Sequence, residues 1–141
     1  MGNRPSTVDT LIEIAITVSK RSTCDRRHNG AVIATSNGVV LSTGYNGSLS
    51  GMPHCDHESN PDESGCTTAV HAEANAVYFA ARNGVSVKDA IIYCTTEPCV
   101  KCAEAIVQSG ISFCVYDQEY RSHAGIELLE KAGVLVNKYE R

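Results

Sequence analysis

The sequence predicts an α/β fold in which helices cover both faces of a mixed β-sheet. Apolar runs of strand length alternate with helical periodicity along the 141 residues, and such alternation favours parallel strands joined by helical crossovers. Two strand-like runs flank Ser36-Asn37-Gly38, which predicts a hairpin and therefore one antiparallel pair. The expected order of elements is α-β-β-α-β-α-β-α-β, within one domain spanning residues 1–141.

The first half of the chain opens with an amphipathic helix over residues 7–20, with Ser6 as its N-cap and Asp9 three positions later. The two hairpin strands are predicted over residues 30–35 and 39–43. The stretch 44–47 closes the second strand with two glycines.

Residues 48–67 are rich in turn-forming residues and show no periodicity, so they are expected to form a long loop. The second half then follows in a regular alternation. Its predicted elements are a helix over 69–81 capped by Thr68, a strand over 89–95, a helix from Pro98 to Ser109 with Pro98 in its first turn, a strand over 111–116, a helix over 126–132 and a strand over 134–136.

The composition excludes several classes of function. The net charge is −4, from 12 basic and 16 acidic side chains, so no broad basic surface is available for nucleic acid or for an anionic membrane. No apolar run approaches membrane-spanning length. The seven cysteines match no secreted disulfide scaffold, so a reducing cytoplasm is the expected setting.

Two short motifs in the second half carry the chemistry. His71-Ala72-Glu73 precedes Pro98-Cys99-Val100-Lys101-Cys102, and one imidazole with two thiols is a ligand set for a catalytic zinc that keeps one position open. Glu73 need not be a ligand, and a free carboxylate beside metal-activated water can shuttle protons. The joint pattern H-x-E…P-C-x-x-C is the signature of zinc nucleobase deaminases.

In these motifs the chain resembles the zinc-dependent cytidine deaminase superfamily, and more closely its deoxycytidylate (dCMP) deaminases. Beyond the zinc motif, the resemblance is carried by Ser42-Thr43-Gly44-Tyr45-Asn46-Gly47 and by His71-Ala72-Glu73-Ala74-Asn75-Ala76. It implies a three-layer α/β/α sandwich with a mixed five-stranded sheet, a homo-oligomer that is often a hexamer, and hydrolysis of dCMP to dUMP and ammonia, which supplies thymidylate synthesis.

The resemblance also implies roles for individual residues. Glu73 would take the proton of the attacking water, deliver it to N3 of the cytosine and later protonate the leaving amine, and the backbone at Thr96-Glu97 would hold that amine. Asn46 matches the asparagine that holds the sugar, and Tyr120 matches the aromatic residue against which the pyrimidine packs. The 5′-phosphate needs cations, and the sequence leaves the choice among its candidates open: Arg26, Arg27 and Arg121, with the Ser22 hydroxyl.

Regulation is a further implication of the resemblance. Many dCMP deaminases are activated by dCTP and inhibited by dTTP at a separate site. The stretch Gly44, Tyr45, Asn46 and Gly47 matches the motif associated with that site, where Mg²⁺ would accompany the nucleotide.

A second, structural zinc is one of two interpretations of the remaining thiols and imidazoles. Its ligands would come from Cys24, Cys55, His57 and Cys66, but their spacing matches no standard zinc finger. The alternative is that they are free thiols and solvated loop histidines.

Two other functions stay open. The chain could deaminate another base, such as tRNA adenosine, free cytidine or guanine, although a tRNA editor is expected to have a basic face. It could instead be a zinc-stabilised nucleotide-binding module without turnover. Glu73 argues against the second alternative, because a protein that only binds nucleotides does not need a proton shuttle.

Overall fold

A computed structural model describes residues 3–24, 27–54 and 69–141 of the chain. Within these residues the elements alternate as the sequence predicts, with two additional short strands. Their bounds are α1 Thr7–Ser19, β1 Gly30–Ala34, β2 Val40–Tyr45, β3 Gly47–Ser48, β4 Ala69–Val70, α2 Ala72–Arg82, β5 Ile91–Thr96, α3 Val100–Gln108, β6 Phe113–Gln118, α4 Ala124–Lys131 and β7 Leu135–Lys138.

The main sheet has five strands in the order β2-β1-β5-β6-β7. Strands β5, β6 and β7 are parallel, whereas β1 runs antiparallel to both β2 and β5. The sequence predicts only one antiparallel pair, and this prediction is wrong. After the crossover through α2, strand β5 runs parallel to β2. Because β5 pairs with β1 rather than with β2, it forms the second antiparallel pair.

Helices cover both faces of this sheet, as the sequence predicts. On one face, the buried side chains of Leu11, Ile12 and Ala15 from α1 pack with Val32 of β1 and Tyr93 of β5. On the other face, α2, α3 and α4 enclose a larger core. The arrangement is the three-layer α/β/α sandwich. In the described parts of the chain, no helix has both the length and the apolar character needed to cross a membrane.

The start of α1 confirms a local prediction. The Ser6 hydroxyl accepts a hydrogen bond from the Asp9 backbone N–H at 3.0 Å, and the Asp9 carboxylate accepts one from the Ser6 N–H at 3.0 Å. This reciprocal capping box satisfies two backbone donors that the helix itself leaves unpaired.

Both helices that carry the zinc motif begin later than the sequence predicts. Residues Ala69 and Val70 are not helical, because they pair with Ser48 and Gly47 in a two-stranded ladder. Helix α2 therefore starts at Ala72, with His71 at the N-cap position. Likewise α3 starts at Val100, so that Cys99 is the N-cap and Pro98 precedes the helix instead of lying in its first turn.

Helix α4 packs directly on the backbone that leads into α3. A Cβ atom at Gly125 would lie 2.1 Å from the Pro98 carbonyl oxygen, a separation at which atoms overlap. Gly125→Ala is therefore expected to lower the free energy of unfolding by about 1–3 kcal/mol through overpacking.

Urea denaturation measures this loss. Glu130→Ala, an exposed substitution on the same helix, is the control and should change stability by no more than about 0.5 kcal/mol. Equal effects of the two substitutions would contradict the close packing of α4 on Pro98.

Candidate active site

The structure brings together the three side chains that the sequence predicts as metal ligands. Nδ1 of His71 lies 3.5 Å from the Cys99 sulfur and 3.4 Å from the Cys102 sulfur, and the three ligand atoms all lie within 4.8 Å of one another. His71 and Cys99 occupy extended N-cap positions, and neither side chain caps its own helix. Both side chains are therefore available to a shared ligand.

The spacing of these atoms fits a tetrahedral zinc ion. With Zn–S bonds of about 2.3 Å and a Zn–N bond of about 2.0–2.1 Å, a tetrahedral centre separates nitrogen from sulfur by about 3.6 Å. The observed separations of 3.4 and 3.5 Å agree with this value. Among the described residues, no further His, Cys, Asp or Glu joins the cluster, and three protein ligands are the number that a catalytic zinc site uses.

The two thiols differ in their acidity. Hydrogen bonds from the Cys102 thiol and from His71 lower the pKa of Cys99 to about 3, and the same contact with Cys99 raises the pKa of Cys102. Cys99 is also at the N-terminus of α3, where the helix dipole favours negative charge. One thiolate is therefore already stabilised by the protein, and thiolate is the form that binds a metal.

Glu73 is the second residue of α2 and lies beside the ligand cluster. Its side chain lines the same cavity as His71 and Cys99, yet the residue is only 7% exposed. Burial, the largest cause, raises the pKa of Glu73 to about 7. A carboxyl group with this pKa can both accept and release a proton near neutral pH.

The cavity beside the cluster measures about 180 Å³. It is lined by the two residues that the resemblance assigns to substrate, Asn46 and Tyr120, and by two of the candidate phosphate contacts, Arg27 and Arg121. These residues come from segments far apart in sequence, and the sheet edge brings them together with the zinc motif.

Ser22 does not line this cavity, although it is a predicted phosphate contact. Its hydroxyl lies 2.9 Å from the Arg27 carbonyl oxygen and 2.8 Å from that of Asn46. Its position therefore suits it to support the segment that carries Arg27. Arg26, the remaining phosphate candidate, lies outside the described residues.

Asn46 supports the same segment from within the cavity wall. Its Oδ1 accepts a hydrogen bond from the Asn29 N–H at 2.7 Å, and its Nδ2 donates to the Arg27 carbonyl oxygen at 2.9 Å. The residue is only 5% exposed. Asn46 therefore fixes the path of the backbone on which Arg27 stands.

Asn29, Thr96 and Glu97 also line the cavity. The resemblance assigns a role to the backbone of Thr96-Glu97 but none to these three side chains. The Thr96 hydroxyl donates to Oδ1 of Asn29 at 2.9 Å, across the pair formed by β1 and β5. For Thr96 and Glu97, adjacency to Pro98-Cys99 was a usable signal. Asn29 is 67 residues from Thr96, and only the strand pairing brings the two together.

Two arginines surround the predicted base-packing residue. The guanidinium carbons of Arg27 and Arg121 lie 5.5 and 5.4 Å from the centroid of the Tyr120 ring, within the range of cation–π attraction. Two positive charges therefore stand beside the cavity of a protein whose net charge is −4.

The predicted effector stretch is closely packed. A Cβ atom at Gly44 would lie 2.4 Å from the Ala72 carbonyl oxygen, and one at Gly47 would lie 2.4 Å from Oγ1 of Thr23. Gly44 is thus required by the close approach of the α2 backbone, whereas at Gly47 the short contact is with a side-chain atom of Thr23. The role of the stretch 44–47 in binding a nucleotide stays a prediction.

The predicted second zinc site also stays a prediction. Cys24 is buried, and its three proposed partners, Cys55, His57 and Cys66, lie outside the described residues.

Comparison with known proteins gives a consistent set of relatives. A family model for the cytidine and deoxycytidylate deaminase zinc-binding region matches residues 5–118. Deoxycytidylate deaminase of Enterobacteria phage T2 is 34% identical over 168 residues, covering 90% of this chain and 89% of the phage protein. ComE operon protein 2 of Bacillus subtilis (strain 168) is 38% identical over 122 residues, covering 85% of this chain and 64% of that protein.

Among solved structures, the chain is similar to dCMP deaminase from the cyanophage S-TIM5, crystallised in complex with dCMP and dUMP. The TM-score is 0.87 at 33% sequence identity, and the match covers 96% of this chain and 98% of the phage chain. The family match, the relatives and the arrangement of the cavity agree. The chain therefore belongs to the zinc-binding family of cytidine and deoxycytidylate deaminases, and it is an enzyme of the deaminase class.

Proposed function

We propose that this protein hydrolyses dCMP to dUMP and ammonia and so supplies dUMP for thymidylate synthesis. The observation that carries the proposal is that one cavity is lined by His71, Cys99 and Glu73 and also by the two cations Arg27 and Arg121. The first group suits the hydrolysis of an amino group on a pyrimidine, and the second suits a phosphate. The relatives named deoxycytidylate deaminase support the same substrate.

Zn²⁺ is the cofactor that the ligand set fits, and His71, Cys99 and Cys102 would hold it. When bound, zinc acts as a Lewis acid and lowers the pKa of its water ligand toward neutrality. The protein contributes the geometry: two helix N-termini present the ligands, and the buried Cys102 limits exchange with solvent.

Glu73 would carry the proton through the reaction. Its carboxylate accepts a proton from the attacking water and delivers it to N3 of the cytosine ring. It then takes the proton of the new hydroxyl group at C4 and passes it to the C4 amine, which leaves as ammonia while the C4 carbonyl forms. Water adds at C4 and the C4–N bond breaks, so that dCMP and water become dUMP and ammonia.

The remaining cavity residues would orient the nucleotide. Asn46 would hold the sugar, the Tyr120 ring would form a wall for the pyrimidine, and Arg27 and Arg121 would bind the 5′-phosphate. Arg26 stays a candidate for the same contact. Because two guanidinium groups would bind the phosphate, a nucleotide should bind more tightly than the corresponding nucleoside.

Neutralising either arginine should therefore reduce activity on the nucleotide alone. For Arg27→Gln and for Arg121→Gln, we expect kcat/KM for dCMP to fall about 10- to 100-fold, as charge-assisted hydrogen bonds are lost. Activity on deoxycytidine should stay nearly constant. Steady-state kinetics with both substrates measures the difference.

Arg82→Gln is the matched control, since Arg82 stacks on Phe79 at the end of α2 and does not line the cavity. An equal loss of activity on dCMP and deoxycytidine would contradict a phosphate role for Arg27 or Arg121.

We further propose that dCTP with Mg²⁺ activates the enzyme, that dTTP inhibits it through the stretch 44–47, and that the active form is a homo-oligomer, expected to be a hexamer. Exposed apolar side chains such as Leu49 and Tyr78 (61% and 56% exposed) support an interface between subunits. Sedimentation velocity with and without each nucleotide tests the assembly.

A further inference from the structure

A carboxylate at the cavity has no task in the mechanism above. Glu97 is the residue before Pro98-Cys99 and is only 2% exposed. Its side chain is fully shielded from solvent, and a carboxylate in such a place is costly unless it is paired.

In the described part of the chain, the Glu97 side chain and its backbone N–H contact residues 118–123. Nδ1 of His123 lies 2.8 Å from Oε2 and 3.1 Å from Oε1, and the Tyr120 backbone N–H donates to Oε1 at 3.4 Å. The Glu97 backbone N–H donates to the Gln118 carbonyl oxygen at 2.8 Å. Glu97 is therefore joined at several points to residues 118–123.

We call residues 119–123 the Tyr120 segment. It connects β6 to α4 and carries Tyr120 and Arg121 to the cavity. The contacts of Glu97 fix this segment against the chain that leads to Cys99. The contact of Gly125 with Pro98 sets the start of α4 against the same place. The segment that carries Cys99 and the segment that carries Tyr120 and Arg121 are thus held together by the same set of contacts.

We propose that Glu97 and His123 form a positioning pair that holds the Tyr120 segment in place and thereby sets the preference for a phosphorylated substrate. This inference rests on the proposed function. Neither side chain needs to touch the substrate. The pair acts through Tyr120 and Arg121, whose distance from the ligand cluster depends on the bridge from Glu97.

His123 is the better residue to change, because its side chain is 60% exposed and contributes little to the core. In His123→Ala we expect the preference for dCMP over deoxycytidine, expressed as the ratio of kcat/KM values, to fall about tenfold. In His123→Asn the side-chain amide can donate in place of Nδ1, and much of the preference should return. Zinc content should equal that of the wild type in both variants.

Amide hydrogen exchange of the zinc-loaded protein supplies a readout that needs no substrate. The Tyr120 N–H should exchange about tenfold faster in His123→Ala, because opening of the segment is no longer opposed by the pair, whereas Val115 within β6 should not change. Glu119→Gln, which removes an exposed carboxylate of the same segment, should alter neither readout.

These experiments distinguish failure of the proposed dCMP deaminase activity from failure of the positioning role of Glu97 and His123. A wild-type enzyme without preference for dCMP would overturn the proposed function, while faster Tyr120 exchange in His123→Ala would still support the pair. Unchanged exchange in His123→Ala, or an equal loss on both substrates with no recovery in His123→Asn, would overturn the positioning role.

Discussion

Glu73→Gln is expected to reduce ammonia release from dCMP by about 10²- to 10⁴-fold, the usual contribution of general acid–base catalysis. Glutamine keeps the size of the side chain but can neither accept the proton of water nor deliver one to N3. Because Glu73 is not one of the three clustered ligands, the variant should bind zinc as the wild type does. The measurements are kcat for dCMP and zinc content by elemental analysis.

The control for this variant is Glu104→Gln, an exposed position on α3 that should change neither quantity. A Glu73→Gln enzyme that retained kcat within a few-fold of the wild type would show that another group moves the proton. Loss of zinc together with activity would place Glu73 among the groups that maintain the metal site.

Cys102→Ala is expected to abolish both zinc binding and turnover. The substitution leaves two protein ligands where a tetrahedral catalytic site needs three. It also removes a buried sulfur that hydrogen-bonds Cys99, so both the ligand count and the acidity of the remaining thiol change. Metal analysis after dialysis should find little zinc in the variant, and no ammonia should form from dCMP.

Cys114→Ala separates loss of a ligand from loss of packing. Cys114 is fully buried in β6 and outside the ligand cluster, so its variant should lose stability but keep zinc and activity. Cys99→Ala, at a less buried ligand, should reproduce the zinc loss with less effect on the core. Full zinc occupancy in both ligand variants would exclude the proposed site.

Much of the fold follows from local signals. The Ser6–Asp9 capping box and the turn at Asn37-Gly38 are each encoded within a few consecutive residues, and the structure agrees at both places. The start of α2 could not be predicted from local sequence, because nothing in the residues around Ala69 and Val70 distinguishes them from the first turn of a helix. Their strand pairing with Gly47 and Ser48 is a tertiary contact, and no short window of sequence contains it.

The candidate site likewise contains residues that short motifs predict and contacts that only the tertiary structure shows. His71, Glu73, Cys99 and Cys102 belong to two compact motifs whose spacing specifies a metal centre. Ser22 stays a predicted phosphate contact. In the structure its hydroxyl lies near the backbone carbonyl oxygens of Arg27 and Asn46, and the contact with Asn46 joins residues 24 positions apart. Glu97 and His123 are 26 residues apart in sequence. Their contact depends on the packing of α4, so it could not be predicted from a short stretch of sequence.

The most direct test of the central claim is ammonia release by the purified, zinc-loaded protein with dCMP, deoxycytidine, cytidine and dCTP as separate substrates. Each reaction would be run with and without dCTP-Mg²⁺ or dTTP as effector. We expect dUMP and ammonia in equal amounts from dCMP, with much slower turnover of the other three. Stoichiometric zinc without ammonia from dCMP would contradict the account and favour another base or a binding protein without turnover.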